Sequence, residues 1–201
     1  MAERPDQFVS RAGLKLDHAL REFGLDVAGL VCADFGCNVG GFTDCLLRRG
    51  ATKVFAIDTG YGALAWTLRN DPRVVVMERT NALHAQPPLE EPVRLVVMDM
   101  GWTPQRLCVP AGLKWLRGQG RIVSLVKPHY EVEAAEKHLL KRGVLEEHES
   151  ERIFQRVLEQ FETWGARALN STRSPLLGGA GKGRVHGNAE YLVLLEPIRT
   201  E

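Results

Sequence analysis

The stretch Leu30-Val31-Cys32-Ala33-Asp34-Phe35-Gly36-Cys37-Asn38-Val39-Gly40-Gly41-Phe42-Thr43 decides the fold. Its first six residues form an apolar run carrying a single acid, which predicts a buried strand over 30–35. Three glycines lead into a short helix expected over 43–49. Glycines at a strand-to-helix turn let the backbone pass close to a ligand. In open α/β sheets ligands bind just beyond the carboxyl ends of the strands, so this turn is the expected binding loop.

The same rhythm continues along the chain. Apolar runs predict strands over 53–58, 73–77, 94–99 and 121–126, with helices over 61–69 and 104–117 between them. Pro110 should bend or break the second of these helices. On the amino-terminal side, Ser10 is positioned to cap a helix carrying Leu14, Leu16, Ala19 and Leu20, and Gly24 should end it. Strands with near-continuous apolar runs, alternating with helices, imply a mostly parallel sheet covered on both faces.

After Pro128 the pattern changes. Residues 130–142 are charged and should lie on the surface, and 148–164 read as an amphipathic helix with Ile153, Val157, Leu158 and Phe161 on one face. Two last strands are expected near 167–170 and 191–195. Between them, residues 176–188 hold five glycines and should form a mobile loop. The expected architecture is one domain over 1–201, with residues 1–26 as a helical extension.

The loop chemistry discriminates between cofactors. A dinucleotide site wants Gly-x-Gly-x-x-Gly, but this loop reads Asp-x-Gly-x-x-x-Gly-Gly. An acid ahead of the first glycine repels a pyrophosphate and suits the amino group of a methionine moiety. Asp58 ends the second strand about 20 residues on, where a carboxylate takes the hydroxyls of a nucleoside ribose. The pair favours S-adenosylmethionine over NAD.

Bulk properties set the outer bounds. The chain has 201 residues, of which 44% are hydrophobic and 25% charged, enough to build a core without disulfides or a structural metal. A net charge of +1 gives no bulk case for nucleic acid, so an RNA site would need a local basic patch. Cys32, Cys37, Cys45 and Cys108 match no zinc or redox spacing, so no metal is expected and reduced thiols in a cytoplasmic setting are. No signal-peptide core and no membrane-length apolar stretch is visible, so no membrane partner is expected.

Several separated motifs resemble one family. Val9-Ser10-Arg11-Ala12-Gly13-Leu14-Lys15-Leu16, Gly40-Gly41-Phe42-Thr43-Asp44-Cys45-Leu46, Val76-Met77-Glu78-Arg79-Thr80-Asn81, Val126-Lys127-Pro128 and Gly187-Asn188-Ala189-Glu190-Tyr191-Leu192 are similar, in order, to the TlyA family. That family, often labelled hemolysin, belongs to the FtsJ-like RNA methyltransferases, and the resemblance runs from about Phe8 to Leu195. It implies a Rossmann-like, class I methyltransferase sheet of seven strands, mostly parallel with an antiparallel last strand. It implies S-adenosylmethionine as cofactor and RNA, in particular ribosomal RNA, as partner. The cofactor site is then expected from Asp34, Gly36, Asn38, Gly40, Gly41, Phe42, Thr43, Asp58, Gly60, Asn81 and Asp99. The resemblance also implies a Lys-Asp-Lys-Glu tetrad for ribose 2′-O-methylation, at Lys15, Asp99, Lys127 and Glu190.

Family members usually carry a preceding S4-type RNA-binding domain, whereas this sequence starts directly at the catalytic core. Gly101-Trp102-Thr103-Pro104 replaces the usual Ser-Phe-Ile-Ser type, and Pro-His-Tyr-Glu follows Lys127 in place of Pro-Gln-Phe-Glu. Both departures fall on the expected substrate side.

A ribose hydroxyl is a weak acid, so transfer to it needs a base and nearby positive charge. Lysine serves as base only when its pKa is lowered. Lys127 follows an apolar strand that should desolvate it, and Lys15 should add a second cation, with Asp99 and Glu190 holding the two lysines in place. Arg11, Trp102, His129, Tyr130, Lys182 and Arg184 are the expected substrate contacts, through stacking or phosphate binding. Two other functions suit the same fold. One is methyl transfer to a small molecule or another non-RNA acceptor, which a closed apolar pocket would favour. The other is a non-catalytic RNA-binding or hemolysin-like role.

Overall fold

The computed structural model describes residues 8–179 and 187–198. Lys182 and Arg184, two of the expected RNA contacts, lie outside the described residues. Seven strands form one sheet: β1 (Val31–Phe35), β2 (Lys53–Ile57), β3 (Val74–Met77), β4 (Leu95–Met98), β5 (Arg121–Val126), β6 (Ala166–Arg173) and β7 (Tyr191–Pro197). Their spatial order is β3-β2-β1-β4-β5-β7-β6. All pairings are parallel except those of β7, which runs against β5 and β6. The helices are α1 (Ala12–Glu22), α2 (Gly41–Arg48), α3 (Trp66–Arg69), α4 (Gln105–Leu116) and α5 (Glu147–Gln160).

The two-residue side-chain period of the strands splits the core in two. Phe35, Ile57, Met98, Ile122 and Val193 pack with Trp115 of α4 and Phe154 of α5 on one face. Cys32, Val54, Val97, Leu125 and Leu192 pack with Leu16 and Leu20 of α1 and Leu46 of α2 on the other. Each fully buried side chain of this size contributes roughly 1.5–3 kcal/mol of transfer free energy. The four cysteines are free and buried in these layers. Burial pushes the Cys32, Cys45 and Cys108 thiols up to about 12, so they stay protonated at neutral pH.

Four local expectations are corrected. Residues 61–65 are a loop, with Gly62 at φ +73, and only the single turn of α3 is helical. Helix α4 runs unbroken through Pro110. The missing N–H leaves the carbonyl of Arg106, four residues earlier, without its helical partner, on an exposed residue. Ser10 stands one residue outside the cap position, where its Oγ accepts from Ala12 N–H at 3.3 Å. Strand β6 extends beyond 167–170 and carries an irregularity between Ala168 and Asn170.

The amino-terminal helix is part of the core. A side chain on Gly41 would sit 2.2 Å from Ser10 Oγ, and this close approach seats the start of α1 on α2. Asp44 accepts from Val9 N–H at 2.9 Å, and Arg49 donates to Asp17 at 2.7 Å. These contacts fix where Lys15 points.

Candidate active site

A crevice of about 2090 Å³ opens along the carboxyl ends of β1, β2, β4 and β5. Because β7 is antiparallel, its beginning reaches the same rim and delivers Glu190 there. No helix among the described residues is long and apolar enough to cross a membrane.

At one end lies the glycine loop. Asp34 is fully buried, and its Oδ2 accepts from Thr43 Oγ1 at 2.6 Å. Its Oδ1 is buried with no hydrogen-bond partner. Desolvation pushes the carboxyl up to about 7, despite the Thr43 bond, which lowers it. An orphaned carboxylate oxygen beside an open crevice fits a cationic group of a ligand. Asp58 accepts from the backbone N–H of Asn38 at 2.9 Å and of Gly60 at 2.7 Å, which fixes its carboxylate at the crevice wall. Gly36, Asn38, Phe42, Gly60, Asn81 and Asp99 also line this part. Gly40, Gly41 and Thr43 do not: they stand behind the wall, Gly41 against α1 and Thr43 against Asp34. Ser10, Thr59, Ala82, Leu83 and Met100 line it without having been expected. Their types carry no chemical signal that marks them in a sequence.

Further along, two ion pairs face the crevice. Lys127 Nζ lies 2.5 Å from Asp99 Oδ1, and Lys15 Nζ lies 2.5 Å from Glu190 Oε2. All four side chains are at most 20% exposed. The strand pairing explains the first contact, since Met98 of β4 sits beside Ser124 of β5 and the residues just beyond both strands share one edge.

The expected lowering of the Lys127 pKa is not what the site produces. Burial does push the amine down, but the Asp99 and Glu190 carboxylates outweigh it and hold it above the ordinary lysine value. Lys15 cannot act as an uncompensated second cation, because Glu190 neutralises it. Lys127 is therefore an ammonium at neutral pH.

Beyond the pairs, His129, Tyr130 and Trp102 form an aromatic group. The His129 and Tyr130 rings are 4.1 Å apart, and those of Tyr130 and Trp102 are 5.0 Å apart. Trp102 is 85% exposed, which excludes core packing as its role. Burial, then Lys127 and Lys15, pushes His129 down to about 4, so its ring is neutral, and its Nδ1 is buried without a partner. Arg11 is exposed and does not line the crevice. The outer wall comes instead from Lys137, Lys141 and Arg142 in a segment that reads only as charged surface in the sequence.

Comparison with known proteins identifies the family. Residues 8–195 match the model of the FtsJ-like methyltransferases. The chain is 36% identical over 189 residues to Hemolysin A of Brachyspira hyodysenteriae, covering 92% of this chain and 75% of that protein. It is 40% identical over 190 residues to the 16S/23S rRNA (cytidine-2'-O)-methyltransferase TlyA of Mycobacterium tuberculosis, covering 94% of this chain and 68% of that protein. A solved structure of a candidate hemolysin from Streptococcus thermophilus superposes with a TM-score of 0.87 at 34% identity, over 98% of this chain and 69% of that one.

Proposed function

The chain belongs to the FtsJ-like methyltransferases, and from that premise we propose that it methylates a ribose 2′-hydroxyl of ribosomal RNA in the cytoplasm, using Lys15, Asp99, Lys127 and Glu190. Its cofactor is S-adenosylmethionine, which supplies an electrophilic methyl group when bound. The observation that carries the reading is the meeting of two lysine–carboxylate pairs in one open crevice, beside a buried carboxylate oxygen that lacks a partner.

Asp34 Oδ1 would accept from the cofactor's amino group, and Asp58 would take its ribose hydroxyls. Lys127 in its neutral form accepts the proton of the acceptor hydroxyl at Nζ and passes it to solvent. Asp99, at 2.5 Å, holds that amine in place, and the Lys15–Glu190 pair sets the charge around it. Trp102 and Tyr130 offer a stacking surface for a base beside the amine. An open crevice bounded by an 85% exposed tryptophan suits a macromolecular acceptor better than a closed apolar pocket would.

The direct test incubates the protein with labelled S-adenosylmethionine and unmodified 16S and 23S RNA, then digests the RNA to nucleosides for mass spectrometry. A 2′-O-methylnucleoside is expected. Label passing to a small acceptor but never to RNA would overturn the reading.

Cofactor uptake should also move a proton. Asp34 is about half protonated near pH 7, and a cation beside its Oδ1 lowers that pKa again. Binding should then release up to about half a proton at neutral pH, and affinity should rise between about pH 6 and pH 8 before levelling off. Calorimetry in buffers of different ionisation enthalpy measures this. Asp34→Asn should abolish both the release and the pH dependence, whereas wild-type binding without proton exchange would remove Asp34 from the cofactor contact.

A further inference from the structure

The outer wall of the crevice ends in a tight turn. Lys141 and Val144 exchange two backbone hydrogen bonds, N–H to O at 2.9 and 3.1 Å. Between them Arg142 and Gly143 take φ +55 and +82. Positive φ at both central residues is the mark of a type I′ turn, whose preferred first residue is Asn, Asp or Gly. An arginine there is strained, since an L side chain in the left-handed region crowds its own backbone. The strain is held by outside contacts. Asn188, buried at the crevice, donates from Nδ2 to Gly143 O at 2.9 Å and accepts at Oδ1 from Leu145 N–H at 2.9 Å. Asn188 also leads into Glu190, so the turn and the ion-pair site are fixed to one segment.

Charge narrows the choice to Lys137 and Arg142, the two cations of this wall without an ion pair among the described residues, and of these only Arg142 stands on the strained turn. Lys141 is paired with Glu146 at 2.5 Å. Glu136 is taken up by Arg152 and Arg156. Arg142 is exposed, lines the crevice and has no ion pair among the described residues. A strained residue kept at a site's rim points to function at that residue, because nothing in the packing requires an arginine there.

We propose that the turn at Arg142 and Gly143 is a phosphodiester contact, with the Arg142 guanidinium gripping the RNA backbone next to the acceptor nucleotide. The inference rests on the reading of the acceptor as RNA. A planar guanidinium makes two parallel bonds to a phosphate, and a rigid turn presents it at low entropic cost. The contact positions the strand and carries no sequence information.

Arg142→Gln and Arg142→Gly separate this role from a structural one. Both should weaken binding of deproteinised 16S and 23S RNA several-fold and flatten the dependence of log affinity on log salt by about 0.7–0.9. Both should leave S-adenosylmethionine affinity unchanged. Arg142→Gly should in addition raise the melting temperature, because glycine adopts this turn without strain. If the wild type methylates RNA and both variants bind it with unaltered affinity and salt slope, the phosphate contact is wrong and the RNA reading stands. If the wild type neither binds nor methylates RNA while serving a small acceptor, the RNA reading falls and this proposal with it.

Discussion

Lys127→Met is expected to lower methyl-transfer turnover by about 10²-fold or more, the scale of losing general acid–base catalysis. Methionine matches the lysine stem in volume and cannot take a proton. The substitution leaves Asp99 without its 2.5 Å partner, but Asp99 opens onto the crevice and water can replace the ammonium. Folding and cofactor affinity should therefore change little. The pH profile gives the sharper reading. Asp99 and Glu190 hold the Lys127 pKa above its ordinary value, so the neutral amine is scarce at pH 7. The wild-type rate should then climb by about tenfold per pH unit through the mildly alkaline range, and the variant should lose that slope. A variant with the normal rate and profile would place the base elsewhere.

Gly36→Ala is expected to cost the site both cofactor affinity and stability. Gly36 has φ +81, and a Cβ there would stand 2.7 Å from the Asp99 carbonyl oxygen. Relief requires the glycine loop or the end of β4 to move, and Asp99 directly follows β4. The strain should destabilise the fold by roughly 1–3 kcal/mol. Cofactor affinity should fall by about tenfold or more, the equivalent of roughly 1.4 kcal/mol. Gly118→Ala is the matched control. It has the same φ of +81, with nothing within 4 Å of the added atom. It should cost about 1 kcal/mol of stability and no affinity. Equal affinity losses in both variants would mean that backbone strain alone, and not the approach to Asp99, governs the loop.

The sheet was readable because its strands are local apolar runs and its turns are marked by glycine. The period-2 alternation and the short strand-to-helix spacings follow from chain geometry alone. The helix expected over 61–69 shrinks to one turn, because residues 61–65 form a loop with Gly62 at positive φ. A glycine loop at the crevice wall was legible from the acid, the glycines and the acid one strand later. Their division of labour was not. Gly41 serves the packing of α1 and Thr43 serves Asp34, and both facts depend on residues many positions away.

The order of elements, the rim where the crevice opens and the four charged residues gathered there were legible in the sequence alone. The first two follow from local pattern, and the four residues from what the family resemblance implies. How those charges pair is settled by contacts between distant parts of the chain. Lys15 meets Glu190 across 175 residues, and Lys127 meets Asp99 between neighbouring strands. A pKa answers to the sum of burial and every nearby charge. The apolar strand before Lys127 supplies the burial, and naming Asp99 and Glu190 beside the lysines does not tell that their charge outweighs it. The outer wall was likewise decided in three dimensions. Residues 137–145 are an ordinary charged surface stretch until the Asn188 side chain clasps their turn against the crevice, and its bonds to the backbone there leave no trace in the local sequence.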